Sequence, residues 1–171
     1  VDSENRMWIS STLGSIVVGN TRGEITYIGE DEGVIGTKFR QALELKDGTV
    51  AVTSEQGISF IKDTKVINTL DSAKGLSKPI VLCMYQRENG DLLAGTDGGG
   101  ISVIRQGKVA ETIGYEALGS GVVLRIAADR DSEKEGMFAV TSNGLCYIAE
   151  DYEVTRLTDF PYSNNYDVYD N

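Results

Sequence analysis

Repeated four-stranded units in an all-β fold are what this sequence predicts, and three observations carry the prediction. Glycine is frequent (Gly 20) and proline scarce (Pro 2) in a chain that is 40% hydrophobic, and turn signals recur at short, regular intervals. Four segments, residues 5–18, 47–61, 89–104 and 135–148, share one pattern of two short apolar runs around a glycine. Their anchor glycines, Gly14, Gly57, Gly100 and Gly144, stand 43, 43 and 44 residues apart. The 3.6-residue periodicity that helical repeats need is missing. Leucine-rich repeats, at roughly 20–29 residues, are too short for this period.

Four strands in about 43 residues is the size of a β-propeller blade. The chain reads as one propeller segment of about four blades, part of a larger propeller. Blade 1 covers residues 1–33, blade 2 34–75, blade 3 76–117 and blade 4 118–160. Residues 161–171 supply the first strand of a further or closing blade.

Each unit is read in the same order. An alternating apolar stretch opens it, at residues 39–45, 80–86 and 122–128, and a polar turn follows. The two runs around the anchor glycine are the second and third strands. The glycine answers to a tight connection with positive φ or close backbone approach. The fourth stretch lies at residues 24–28, 65–70, 108–115 and 153–157. Blade 1 has no opening stretch. Its missing strand and residues 161–171 admit two accounts: the two ends pair and close a ring, or the segment is cut from a longer propeller, which is preferred. The abrupt start at Val1 is read as a processed or excised piece. A single blade cannot bury both its faces, so stability must come from neighbours.

Composition narrows the function. Lys+Arg 16 against Asp+Glu 26 gives a formal net charge of −10, a field that opposes phosphate backbones and anionic membranes. No nucleic acid is expected as a partner. No direct membrane insertion is expected either, because the longest apolar run, residues 80–85, is far below the roughly 20 residues that span a bilayer. The chain has no histidine, which removes Ser-His-Asp and Cys-His chemistry and nearly all catalytic zinc sites. Cys83 and Cys146 are read as buried small hydrophobes in preference to a disulfide.

At residues 89–104 the sequence resembles the two-component regulator propeller repeat, whose pattern is roughly D-G-x-hydrophobic-W-hydrophobic-G-T-x-x-G-hydrophobic. Trp8 supplies the tryptophan of that pattern in the first unit. Ala51, Leu93 and Ala139 replace it elsewhere, and the Gly-Thr pair is intact only at Gly95-Thr96. The resemblance covers nearly the whole chain. It implies the extracytoplasmic sensor region of a bacterial membrane-bound histidine kinase, hybrid two-component regulator or diguanylate cyclase, in propellers of more than four blades.

Other features are weighed against plainer readings. Asp129, Asp131, Glu133 and Glu135 alternate as calcium ligands would, but Lys134 stands where such a loop wants glycine, so a solvated turn is expected. The same reading covers the charged loop at residues 29–33. Residues 97–100 lie between two strands and lack the lysine and helix of a phosphate cradle. Trp8 is read as packing more than as a stacking platform. No catalytic residue, metal site or cofactor is expected.

Ligand contacts in propellers gather at one mouth of the ring. Here that places Thr37-Lys38, Ser77-Lys78, Ser120-Gly121 and residues 162–165 at the rim. Lys38, Lys78, Tyr162, Asn164 and Asn165 are the candidate ligand-binding residues, suited to a small polar ligand such as a carbohydrate. The expected function is a non-enzymatic sensor in the extracytoplasmic part of a membrane-anchored signal receptor, with a homodimer through open strand edges as a further expectation. A protein-interaction scaffold and a propeller lyase or hydrolase are the alternatives.

Overall fold

The computed structural model describes residues 1–130 and 136–159. Residues 161–171, and with them Tyr162, Asn164 and Asn165, lie outside the described residues, as do Asp131, Glu133, Lys134 and Glu135. Two compact units divide the chain, Val1–Val81 and Leu82–Asn171.

The first unit holds a three-stranded antiparallel sheet of β1 (Met7–Ser10), β2 (Ile16–Gly19) and β3 (Ile25–Ile28). A four-stranded one follows, of β4 (Ala42–Glu44), β5 (Val50–Thr53), β6 (Ile58–Lys62) and β7 (Lys65–Leu70). The second unit has two four-stranded sheets. One runs β8 (Val81–Gln86), β9 (Leu92–Thr96), β10 (Ile101–Arg105), β11 (Lys108–Ile113). The other runs β12 (Val123–Asp129), β13 (Gly136–Thr141), β14 (Gly144–Ile148), β15 (Val154–Asp159). Every sheet pairs its strands in sequence order, as a propeller blade does. β5, β9 and β13 pair with an opening strand on one side; among the described residues β1 has no neighbour there.

Alternation along the strands places the core between sheets. In the first unit Ile16, Val18 and Ile28 pack with Val50, Val52 and Ile61, and half-buried Trp8 and Phe39 lie against this cluster. In the second, Leu93, Ile101, Val103 and Ile113 meet Val123, Ile126, Met137, Ala139, Cys146 and Ile148. Cys83 and Cys146 are free, buried members of that cluster, as read from the sequence. The Gly95-Thr96 pair has two separate jobs here. A Cβ on Gly95 would press on the Cys83 sulfur and on Val123, so that glycine sets how closely the two sheets approach. The buried Thr96 hydroxyl donates to the Gly100 carbonyl at 2.9 Å and closes the hairpin.

Three sequence expectations need correction. The stretch 108–115 is not one strand: β11 ends at Ile113, and a helical turn, Tyr115–Leu118, follows Gly114. Turns at Glu30–Glu32 and Ser72–Lys74 occupy the same place in the other units, each ended by a left-handed glycine, Gly33, Gly75 or Gly119. Those glycines stand 42 and 44 residues apart, a second repeat signal. The stretch 39–45 is a strand only over Ala42–Glu44. Arg40 and Gln41 instead donate their N–H groups to the Thr53 carbonyl and hydroxyl, so the ladder opens there. Gly144 differs from the other anchor glycines. It is the first residue of β14, whereas Gly14, Gly57 and Gly100 have positive φ.

Candidate functional site

A cleft of about 130 Å³ opens in the first unit beside β1. Trp8 and Phe39 provide its aromatic lining, Ile16 and Val52 its buried apolar floor, and Ser10, Arg40 and Gln41 its polar part. Its size suits a single ring.

Each wall is fixed by local chemistry. On the Trp8 side the turn before β1 buries the Asp2 carboxylate, whose side chain is 1% exposed. That carboxylate accepts the Trp8 indole N–H at 2.8 Å, the Arg6 Nε–H at 2.7 Å and the backbone N–H groups of Glu4 and Arg6. The Arg6 guanidinium also sits 5.8 Å from the Trp8 ring centre. The indole is therefore oriented, not merely packed. Opposite, the Glu55 carboxylate accepts the N–H groups of Thr37 and Lys38. This anchors the segment entering Phe39.

Burial works against ionisation of Asp2, but the hydrogen bonds from Trp8 and Arg6 and the Arg6 charge outweigh it and hold the carboxyl down at about 2. The folded value lies below the ordinary 3.8, so this stabilisation is complete above that pH and is lost as pH falls from about 4 toward 2. It amounts to about 2 kcal/mol. Chemical denaturation followed by fluorescence of Trp8, the chain's one tryptophan, should therefore show a stability gap between wild type and Asp2→Asn at pH 6. The gap should close near pH 2. An Asp2→Asn penalty that does not change with pH would refute this account.

The structure places the rim residues as follows. Lys38 and Lys78 are both exposed, and Lys38 immediately precedes the Phe39–Gln41 wall without lining the cleft. Ser120 is buried, and its hydroxyl is shared with that of Ser142 at 2.8 Å. The Gly121 carbonyl accepts the N–H groups of Gly98 and Gly100. Two donors that a phosphate cradle at residues 97–100 would need are thereby committed, in line with the turn reading. At residues 29–33 the Glu32 carboxylate accepts the Gly29 N–H, so that charged loop caps itself. Among the described residues no group of three or more His, Cys, Asp or Glu side chains could hold a metal. Sequence reasoning missed Asp2, Arg6 and Glu55. Acidic side chains are common here, and only the fold shows which of them meet backbone N–H groups.

No family model matches the chain, and no curated protein does. Solved structures do. The extracellular domain of a B. thetaiotaomicron protein assigned as a hybrid two-component system superimposes with a TM-score of 0.75 at 20% identity, over 92% of this chain and 22% of that one. The extracellular domain of a second such protein from the same organism gives a TM-score of 0.71 at 26% identity, over 97% of this chain and 21% of that one. Virginiamycin B lyase from Staphylococcus aureus gives 0.72 at 20% identity, over 96% of this chain and 54% of that one. The fold is thus that of a β-propeller segment of about four blades. The chain spans about a fifth of the length of the two extracellular domains it matches.

Proposed function

We propose that this chain is a non-enzymatic, ligand-binding segment of the extracytoplasmic sensor propeller of a membrane-anchored bacterial receptor, of the two-component or cyclic-di-GMP type. The observation that carries the reading is the likeness, at 26% identity over 97% of the chain, to the extracellular domain of a hybrid two-component system. The resemblance of residues 89–104 to the two-component regulator propeller repeat supports it. Among the described residues no helix is long and apolar enough to cross a membrane, so anchoring would fall to another part of the receptor.

The ligand is a small polar ring compound, a sugar or sugar acid, seated against Trp8 and Phe39. A ring's apolar face gains by stacking on an aromatic, while hydroxyl or carboxylate groups meet Ser10, Gln41 and Arg40. A ligand held better in one receptor arrangement than in another shifts the output by that difference in affinity.

One observation favours a second reading, a propeller lyase, because the virginiamycin B enzyme shares the fold. A histidine-to-alanine form of that enzyme is catalytically inactive, and this chain contains no histidine. The segment cannot itself supply such a residue.

The test uses Trp8 as its own reporter. Titration of the purified chain with a panel of monosaccharides and uronic acids should give a saturable change in Trp8 emission with at least one of them. In Phe39→Ala the affinity should fall by tenfold or more. No saturable response across the panel would reject the ligand class. The receptor role is tested separately in the intact parent protein. A compound that binds the chain yet never alters any output of that protein would reject the sensor reading.

A further inference from the structure

The outer strands of the blades are not alike. In β7, β11 and β15 the register with the neighbouring strand shifts once, between Phe60 and Ile61, between Val103 and Ile104, and between Leu145 and Cys146. Each shift leaves one residue of the outer strand without an opposite: Ile67, Ala110 and Leu157. The same bulge thus recurs in successive repeats, and it interrupts the row of backbone groups that an outer edge offers. These strands are charged as well. They carry Lys65 in β7, Lys108 and Glu111 in β11, and Arg156 and Asp159 in β15. Bulges and edge charges both oppose the addition of a foreign strand.

β3 has neither device. Its residues, Ile25-Thr26-Tyr27-Ile28, pair with β2 in unbroken register, and none is charged. Among the described residues no strand pairs with its other side. The ladder fixes where its backbone groups point. The Asn20 N–H donates to the Glu24 carbonyl at 3.2 Å, which makes these two a hydrogen-bonded pair. Bonded and non-bonded pairs alternate along an antiparallel ladder. Thr26 and Ile28 therefore bond to β2, whereas Ile25 and Tyr27 turn their N–H and C=O groups to the open edge. The side chains of these same two residues are 60% and 64% exposed. Just past the strand stands a turn of three exposed carboxylates, Glu30–Glu32.

We propose that the open edge of β3 is a strand-addition site for an extended segment of a partner protein. The segment it fits carries β-branched or aromatic residues at alternate positions, beside Ile25 and Tyr27, and lysine or arginine at the end that lies against Glu30–Glu32. The outward N–H and C=O groups of Ile25 and Tyr27 supply the main-chain bonds, and the exposed side chains supply the cross-strand contacts. Opposite charge at one end steers the segment and fixes its orientation. A second copy of this chain fits less well. Each copy carries a formal net charge of −10, and each brings the same carboxylates to its own β3.

The test pans a displayed library of random peptides of about ten residues against the purified chain, and a synthetic copy of the enriched peptide is then titrated. Expected is a saturable complex in which amide hydrogen exchange slows by roughly tenfold or more at Ile25 and Tyr27. Thr26 and Ile28, already bonded to β2, should change little. Ile25→Pro removes an outward donor and leaves the bonds to β2 in place. It should weaken binding by roughly tenfold or more. The double variant Glu30→Lys/Asp31→Lys, in an exposed turn outside the strand, should do the same, and added salt should weaken the wild-type complex. A library without enrichment would overturn the proposal. So would an enriched peptide that binds Ile25→Pro and the charge-reversed variant as tightly as wild type. Self-association of the chain that protects the same two amides without peptide would also overturn it, assigning the edge to a second copy.

Discussion

Replacing Arg87 by alanine is expected to destabilise the second unit by roughly 3–4 kcal/mol. Arg87 is fully buried although it carries a charge. Its Nη1 donates to the Glu150 carbonyl at 2.8 Å, and its guanidinium lies 4.7 Å from the Tyr152 ring centre. Tyr152 in turn donates its hydroxyl to Asp91 Oδ2 at 2.5 Å, and Arg105 Nε donates to the same oxygen at 2.9 Å. The turn between β8 and β9 of blade 3 is thus tied to the turn between β14 and β15 of blade 4. Truncation to alanine leaves a cavity, strips the cation from the ring and removes the bond to the Glu150 carbonyl, and the three costs add.

Tyr152→Phe separates the parts. It keeps the ring beneath Arg87 and removes the hydroxyl, with its bond to Asp91 and its contacts with Arg87 and Arg105, so about 1–2 kcal/mol should be lost. Native-state hydrogen exchange of the β9 and β14 amides reads both variants. Arg87→Ala should speed exchange at these amides by two orders of magnitude or more, in line with its larger loss. Exchange within fivefold of wild type would mean that this cluster is incidental to the fold.

A comparably large effect is expected from a single methyl group at Gly57 or Gly100. Both have positive φ, 142° and 75°. At each, an added Cβ would run into a backbone carbonyl, that of Leu70 for Gly57 and that of Ile113 for Gly100. A carbonyl held in an antiparallel ladder cannot swing away as a long side chain can. Gly57→Ala and Gly100→Ala should each cost roughly 3–5 kcal/mol, the conformational penalty plus the displaced strand. Gly48 is the control. Its φ is also positive, at 77°, yet nothing lies within 4 Å of the position of a Cβ. Gly48→Ala should cost about 1 kcal/mol. Urea denaturation of the three variants tests the ranking, and equal losses at Gly48 and Gly57 would remove close approach as the cause.

Much of the blade pattern could be read from residues alone, because a strand alternates with period two and a tight hairpin demands glycine. Stretch 65–70 coincides with β7 to the residue, and β8 and β12 begin one residue inside the stretches read for them. Errors arose where a tertiary bond competes with local pattern. The apolar run 108–115 continues past Ile113, but Gly114 and the left-handed Gly119 enclose a helical turn whose Leu118 is buried in the core. Residues 39–41 alternate like a strand, yet Thr53 captures the Arg40 and Gln41 N–H groups outside the regular ladder. The rim residues Lys38 and Lys78 were named from loop position. Asp2, Arg6 and Glu55, which position the walls of the cleft, carried no signal because acid–amide contacts depend on where a turn closes.

By itself the sequence determined the period, the four-stranded unit and the acidic, histidine-free chemistry, since each of these is a property of spacing or composition. The burial of Arg87 and Asp2 and the committed donors at residues 97–100 were decided only by tertiary structure. Those features depend on which side chains from distant repeats come within a few ångströms of one another, and no local pattern encodes that distance.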